Sequence, residues 1–290
     1  MSAQVPYTLI PARRLVIRHT TGYRYDRPVV ASYNEARMTP LTTTTQTALD
    51  CRVDVDAMTW STTYWDYWGT YVTAFEALGP HDELTVVSTS TVELYPADVP
   101  SADAGWDVLR RRDVADTHHE FLVQTRCTEP VEEVVTLARE AAGDRPPDQA
   151  ARAVCEALRE RLEYSPGSTS VHTNAVEVWQ TKRGVCQDFA HLSLGALRAL
   201  GIPARYVSGY LHPRPDAALG HPVEGQSHAW IEWWAGDWVS FDTTHAADVG
   251  VDHVVVARGR DYTDVTPLKG IIAGATSSEL FVTVQVTRVV

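Results

Sequence analysis

Three side chains capable of nucleophilic or acid–base chemistry occur in separate segments of the second half of the chain. Cys186 follows a glycine turn and precedes an apolar helical pattern, His228 lies within Ser227-His228-Ala229-Trp230, and Asp242 follows Phe241. A cysteine, a histidine and an aspartate in this order are the residue types of an activated thiol nucleophile. The chemistry that they predict is acyl transfer through a thioester.

Each of the three residues has a predicted role. A free thiol has a pKa near 8.5 and is mostly protonated at neutral pH. The amides of a helix N-terminus and a nearby imidazolium both favour the thiolate, so the pKa of Cys186 is expected to be lowered. A turn near Ala235 or Gly236 would bring Asp242 almost opposite His228. Asp242 would then orient the ring of His228, which would serve as the general base.

An oxyanion site needs hydrogen-bond donors close to the nucleophile. The backbone amide of Cys186 is one natural donor. Gln187, Tyr164 and Trp179 are candidates for a second one, and the sequence leaves the choice among them open.

The other cysteines and histidines have less distinctive surroundings. Cys51, Cys127 and Cys155 are widely spaced and form no Cys-x-x-Cys pair, so they are interpreted as core residues. Asp188 and His191 are three residues apart on the predicted helix, a spacing that allows them to pair with each other in a supporting role. Histidines without metal-ligand spacing are expected to be structural or exposed: His118, His119, His212, His221, His245 and His253. The prediction is no metal, no calcium loop and no cofactor.

Helices and strands of suitable length surround these residues. Apolar residues recur at helical spacing from Phe189 to Leu200, and Gly201-Ile202-Pro203 ends the pattern, so Cys186 falls at or just before a helix N-terminus. Two further helices are predicted around residues 131–138 and 150–162. Strands are predicted at residues 204–211, 228–234 and 238–242, and a closing strand at 280–290.

The first hundred residues have a different character. Segments rich in β-branched residues or alternating in polarity occur between residues 13 and 95, which favours a sandwich or barrel. The aromatic segment 64–69 is interpreted as a hairpin turn. The residues after 95 contain prolines and mixed charges, which favours a linker. The predicted division is therefore a β-rich domain at 1–100, a linker at 101–125 and a catalytic core at 126–290.

Composition limits the classes of partner. The 290 residues carry a net charge of −12 with no basic stripe, which argues against a nucleic-acid partner. No apolar run is long enough to span a membrane, and residues 1–14 do not have the pattern of a secretory leader, so a cytoplasmic location is expected.

The motifs around the three residues resemble the bacterial transglutaminase-like family, part of the papain-like cysteine superfamily. The similarity covers residues 184–192, 198–210, 228–230 and 241–242, and extends to 256–265. Segments 19–25 and 32–37 are similar to the β-rich region that precedes the core in this family. One departure is that the chain has Asp242-Thr243-Thr244-His245, where the family commonly has Asp-Pro-Thr-Asn.

The resemblance implies an α+β fold in which an N-terminal β-sandwich-like domain precedes a papain-like or transglutaminase core. The nucleophile lies at a helix N-terminus packed on an antiparallel sheet. It implies Cys186 as nucleophile, His228 as base and Asp242 as orienting residue. The predicted reaction is attack on an amide of a protein or peptide, either a glutamine side chain or a peptide bond. An amine co-substrate or water then resolves the thioester. The alternatives are a protease or amidase that uses water only, and a non-catalytic binding protein that retains the fold.

Overall fold

A computed structural model describes residues 12–96, 101–214 and 216–290. The absence of a secretory leader was predicted from residues 1–14, and most of that segment lies outside the described residues. Pro100, at the predicted domain boundary, also lies outside them. Within the described part of the chain, no helix is both long and apolar enough to cross a membrane.

The N-terminal region consists of strands, as its alternating pattern predicts. The two longest strands, β1 and β4, pair antiparallel from Arg13↔Leu94 to Ala36↔Thr73, with register shifts on either side of Val29. The hairpin predicted at residues 64–69 is confirmed, because Asp66 accepts hydrogen bonds from the backbone of Trp68 and Thr70 between β3 and β4. The bounds are β1 Arg13–Ala36, β2 Gln46–Val55, β3 Trp60–Trp65 and β4 Tyr71–Leu94.

Helices dominate the middle of the chain. The three helices predicted from apolar spacing are confirmed as α3, α4 and α6, whereas the predicted linker contains two short helices and one 3-10 turn at His119–Phe121. The bounds are α1 Trp106–Leu109, α2 Arg112–Thr117, α3 Glu132–Ala142, α4 Pro147–Arg159, α5 Ala175–Thr181 and α6 Cys186–Ala199. Two short strands, β5 Glu163–Tyr164 and β6 Arg183–Gly184, pair in parallel just before α6.

Helix α6 is the central element of this half. Every residue from Gln187 to Arg198 is buried, and the helix packs against α3, α4 and α5. The segment before α3 approaches it so closely that a Cβ atom at Gly195 would lie 1.9 Å from the carbonyl oxygen of Thr128. A helix enclosed in this way holds its first residue, Cys186, in a fixed position.

The remaining strands supply the surface on which α6 packs. Strands β7, β8 and β9 run antiparallel to their neighbours, and the turn at residues 235–237 joins β8 to β9. The bounds are β7 Ala204–Leu211, β8 Pro222–Trp234, β9 Trp238–Asp242, β10 Ala247–Asp248, β11 His253–Gly259, α7 Tyr262–Val265, β12 Leu268–Ala273 and β13 Ser278–Arg288. The α+β class and the antiparallel sheet beneath α6 are as predicted.

The last two strands connect the two halves of the chain. Strands β12 and β13 both pair with β1, and β13 also pairs with β8. As a result, the N-terminal strands and β7–β11 form one eleven-stranded sheet within the described residues. The predicted division, with a sandwich-like unit at 1–100 and residues 126–290 as a single core, did not anticipate this pairing. Local patterns identify strands, but they do not specify distant partners.

Candidate active site

Cys186 is the first residue of α6, and the turn before it is held by Asp188. The Asp188 carboxylate accepts hydrogen bonds from the backbone N–H of Val185 at 2.8 Å and from the hydroxyl of Thr169 at 2.6 Å. Gly184 is required here, because an added Cβ would lie 2.7 Å from the Cβ of Asp188. These contacts set the angle at which Cys186 enters the helix.

The pairing of Asp188 with His191 that their spacing allows does not form. Asp188 is committed to the turn before the helix, and Nε2 of His191 instead accepts the backbone N–H of Tyr262 at 3.1 Å. The two side chains therefore serve separate contacts.

Strand β8 changes partner next to Cys186. It pairs with β13 at residues 222–225 and with β9 at residues 231–234, so residues 226–230 have a strand partner only on the β7 side among the described residues. His228 and Ala229 lie in this gap. The backbone amides of Ala229 and Gln187 both hydrogen-bond to the sulfur of Cys186. The nucleophile therefore lies directly beside the strand that carries His228.

His228 and Asp242 form a direct hydrogen bond. Nε2 of His228 lies 2.7 Å from Oδ2 of Asp242, and both residues are buried. Extending the β8–β9 register beyond Ile231↔Phe241 puts Asp242 opposite Trp230, two residues from His228 and on the same face. Because a carboxylate only accepts, the proton lies on Nε2, which leaves Nδ1 as the acceptor on the other side of the ring.

Asp242 receives further hydrogen bonds. Oδ1 accepts the backbone N–H groups of Thr244 at 2.9 Å and His245 at 3.2 Å, so the turn forms without the proline common in the family. Oδ2 lies 2.8 Å from Nδ1 of His245 and 3.2 Å from Nε2 of His253. Burial opposes ionisation, but the hydrogen bonds from the three imidazoles outweigh it and hold the pKa of Asp242 well below its usual range. Asp242 is therefore ionised at neutral pH.

Three residues around Asp242 were not identified from the sequence. His245 and His253 were expected to be structural or exposed, yet both contact Asp242. Arg159 donates to the carbonyl oxygen of Thr244 at 2.6 Å and so holds the same turn. The position of His245, three residues after Asp242 in a turn, was a local signal. For His253 and Arg159 no local signal existed, because they reach the turn from β11 and from the end of α4.

The sequence spacing gave His245 no metal-ligand arrangement, but the fold places it beside two other donors. One donor atom from each of His228, Asp242 and His245 lies within 4.8 Å of the others.

The thiol of Cys186 does not have the lowered pKa that its helix position predicts. Burial raises the pKa of Cys186 to about 11, and the carboxylates of Asp242 and Asp188 act in the same direction. The amides of Ala229 and Gln187 favour the thiolate but do not offset burial. The free protein therefore holds a neutral thiol at neutral pH, which must lose its proton to a base before it can attack.

Tyr164, one of the three oxyanion candidates, lies close to the nucleophile. The parallel pairing of β5 with β6 aligns Tyr164 with Gly184, two residues before Cys186. Burial and the neighbouring Cys186 and Asp242 raise the pKa of its hydroxyl, which keeps it a neutral donor.

The other two side chains are committed elsewhere. The side-chain amide of Gln187 donates to the carbonyl oxygen of Val171 at 3.3 Å. The expectation for Trp179 is not supported, because its only ring donor is used by Glu133 at 2.8 Å. Gln187 contributes its backbone amide at the sulfur instead.

All four cysteines lie in the described part of the chain and are free thiols. Cys155 is buried as predicted, and burial raises its pKa to about 12. Cys127 is also buried, and burial raises its pKa to about 11; Cys51 is only half-buried. Among the four, only the sulfur of Cys186 is hydrogen-bonded to the backbone of β8, the strand that carries the buried His228.

Known families match most of the chain. Residues 135–243 match the transglutaminase-like superfamily, and residues 15–93 match the bacterial transglutaminase-like N-terminal region. The first match contains Cys186, His228 and Asp242. The two together include the N-terminal strands β1 to β4 and the helical core.

Relatives of similar length also match. Uncharacterized protein ML0607 of Mycobacterium leprae is 45% identical over 95% of this chain and 99% of its own length. Uncharacterized protein Rv2569c of Mycobacterium tuberculosis is 32% identical over 89% of this chain and 87% of its own. The crystal structure of a proposed cysteine protease from Cytophaga hutchinsonii superposes with a TM-score of 0.74 and 22% identity, over 96% of this chain and 98% of that chain. The protein therefore belongs to the transglutaminase-like superfamily, in the group with the bacterial N-terminal region.

Proposed function

We propose that the protein is a thiol-dependent acyl-transfer enzyme that attacks an amide of a protein or peptide substrate through Cys186. The observation that carries this proposal is the buried His228–Asp242 pair beside a cysteine at a helix N-terminus. A 107-residue segment that is 32% identical to a protein-glutamine gamma-glutamyltransferase of Pseudomonas aeruginosa supports a glutamine side chain as the substrate group. That segment covers 32% of this chain and 16% of the relative.

The reaction begins with the transfer of the thiol proton from Cys186 to Nδ1 of His228. The sulfur then attacks the amide carbonyl carbon, and the oxyanion is stabilised by the backbone amide of Cys186 and the hydroxyl of Tyr164. His228 returns the proton to the leaving nitrogen, the carbon–nitrogen bond breaks and a thioester remains. An amine or water then gives a proton to His228 and attacks the thioester, which regenerates the thiol.

The two resolving nucleophiles define two activities. With an amine the enzyme is a transferase, and with water it is a protease or amidase. The partners are then a protein or peptide and, for the transferase, an amine. The other expectations, namely no nucleic-acid partner, no membrane and a cytoplasmic location, remain predictions.

The test is to incubate the protein with a glutamine-containing peptide, with and without a primary amine. Ammonia release and the mass of the peptide are then followed. The proposal expects ammonia release in both cases, an amine adduct when the amine is present, and a covalent adduct on Cys186 after rapid quenching. Cys186→Ala should abolish all three signals, whereas Cys155→Ala, which removes a buried core thiol, should retain them.

If the only product is the hydrolysed acid, even when the amine is present, the protein is an amidase and not a transferase. If no acyl adduct forms on Cys186 with glutamine or peptide-bond substrates, the protein is a non-catalytic member of its family.

A further inference from the structure

The group of side chains around Asp242 is larger than acyl transfer requires. The proposed reaction uses His228 and Asp242, yet two more imidazoles, those of His245 and His253, are directed at the same carboxylate oxygen. Imidazole nitrogen and carboxylate oxygen are the donor types that zinc prefers in proteins. We propose that His228, Asp242 and His245 bind a divalent zinc ion, and that the bound ion inhibits Cys186 by occupying Nε2 of the base.

The distances suit a single ion. The three donor atoms lie within 4.8 Å of one another, with Nε2 of His228 and Nδ1 of His245 at 2.7 and 2.8 Å from Oδ2 of Asp242. Zinc–ligand bonds of about 2.0–2.2 Å separate tetrahedral ligands by roughly 3.3–3.6 Å, so small side-chain movements suffice. Oδ1 is held by two backbone amides, which leaves Oδ2 as the ligand atom.

His253 orients the carboxylate but is not itself a ligand. The backbone N–H of Gly250 is directed at its Nδ1 at 3.4 Å, which places the ring proton on Nε2, the atom that faces Asp242. A metal bound to Nε2 of His253 would put the ring proton on Nδ1, where it would face the backbone N–H of Gly250. Carboxylates that bind a metal are commonly held in place by hydrogen bonds from neighbouring groups, and His253 has this position relative to Asp242.

An ion can enter the site from solvent. The side chain of His245 is 56% exposed, whereas those of His228 and Asp242 are 8% and 1% exposed. His245 therefore forms the outer edge of the site, and its Nε2–H can be satisfied by water when Nδ1 binds the ion. Water would complete a tetrahedral shell at the exposed side.

Inhibition follows from the tautomer of His228. The free protein needs the proton on Nε2 and the lone pair on Nδ1. A neutral imidazole that binds zinc through Nε2 carries its single proton on Nδ1, so it can no longer accept the thiol proton of Cys186. This inhibitory step rests on the proposed acyl-transfer function, whereas binding itself does not.

Binding is tested without any substrate. Zinc affinity and stoichiometry are measured by competition with a chromogenic chelator for wild type, His245→Asn, Cys186→Ala and His221→Asn. We expect one zinc ion per chain for wild type, Cys186→Ala and His221→Asn, a surface control. His245→Asn should bind at least about tenfold more weakly, since even residues that only orient ligands change affinity by about 10–100-fold. Denaturant unfolding of each variant confirms that it is folded.

Two outcomes would overturn the site. One is wild type that binds no zinc ion stoichiometrically. The other is binding lost in Cys186→Ala but kept in His245→Asn, which would put the ion on the thiol and His228. Cobalt(II) in place of zinc separates these cases, because the proposed site has no sulfur ligand and should show no thiolate-to-metal charge-transfer band. If the glutaminyl peptide is turned over, zinc should inhibit wild type at concentrations that leave the rate of His245→Asn unchanged relative to its own zinc-free rate.

Discussion

Nε2 of His228 lies 2.7 Å from Oδ2 of Asp242, although the two residues are 14 positions apart and belong to different strands. The hydrogen bond fixes the tautomer of His228 and directs Nδ1 away from Asp242. Most of the site depends on this tautomer, since Cys186 needs an acceptor for its proton.

Replacing Asp242 by Asn should therefore reduce kcat with little change in KM. The amide can donate to the ring and stabilise the opposite tautomer, and an aspartate-to-asparagine change in a comparable triad costs about 10⁴-fold. We expect a loss of about 10²–10⁴-fold in the rate of ammonia release from a glutaminyl peptide. Asp248→Asn, at an exposed position paired with Arg152, is the control. Unchanged kcat in Asp242→Asn would remove Asp242 from the mechanism.

Alkylation of Cys186 should report a raised pKa. Because burial favours the neutral thiol and raises the pKa of Cys186 to about 11, the iodoacetamide rate should climb steadily from pH 6 to pH 10 without a plateau. The measurement is peptide mass spectrometry of the Cys186 adduct, with Cys186→Ala to identify signal from the other thiols. A plateau below pH 7 would instead mean that the free enzyme already holds a thiolate–imidazolium pair.

Tyr164→Phe removes one hydroxyl and tests the oxyanion assignment. If that hydroxyl stabilises the developing charge, kcat should fall by about 10²-fold, the order observed for single oxyanion donors. Tyr95→Phe, whose hydroxyl bonds to Glu93 at 2.9 Å, provides the matched control. An equal, small effect of both substitutions would assign the second donor to the backbone alone.

Glu232 should stabilise the sheet beneath the site. Its buried carboxylate bonds to Arg205 at 2.6 Å and to Arg258 at 2.9 Å, and so links β8 to β7 and β11. Burial alone would raise its pKa, but the two guanidinium groups outweigh burial and lower the pKa of Glu232 to about 2. Glu232→Gln leaves two partly buried cations unpaired, which should lower the free energy of unfolding by about 3–5 kcal/mol at pH 7.

The pH dependence of this effect has a definite sign. A carboxylate with a depressed pKa stabilises the fold above its unfolded pKa near 4.3 and loses that contribution as the pH falls towards 2. The difference between wild type and Glu232→Gln should therefore be present at pH 7 and shrink between pH 4 and pH 2 in denaturant titrations. Glu163→Gln, which breaks an exposed pair with Arg183, should show no measurable change at any of these pH values. A difference for Glu232→Gln that does not depend on pH would assign its effect to packing.

The sequence by itself determined the elements that carry the nucleophile, the base and the orienting residue. The helical period from Phe189 onward and the stop at Gly201 are local signals, and they identified the first turn of α6 as the position of Cys186. The turn at residues 235–237 is also local, and it was enough to bring the strand of Asp242 beside the strand of His228.

Only the tertiary structure decided the surroundings of these residues. The gap in β8 exists because β13, from the end of the chain, pairs with one part of this strand and β9 with another. His253 and Arg159 reach the Asp242 turn from distant elements, and the pKa of Cys186 is raised because the packing around it partly shields the thiol from water. Periodicity and turn chemistry are properties of neighbouring residues, and so they can be read locally. Strand partners, burial and the environment of a charge depend on which distant segments meet.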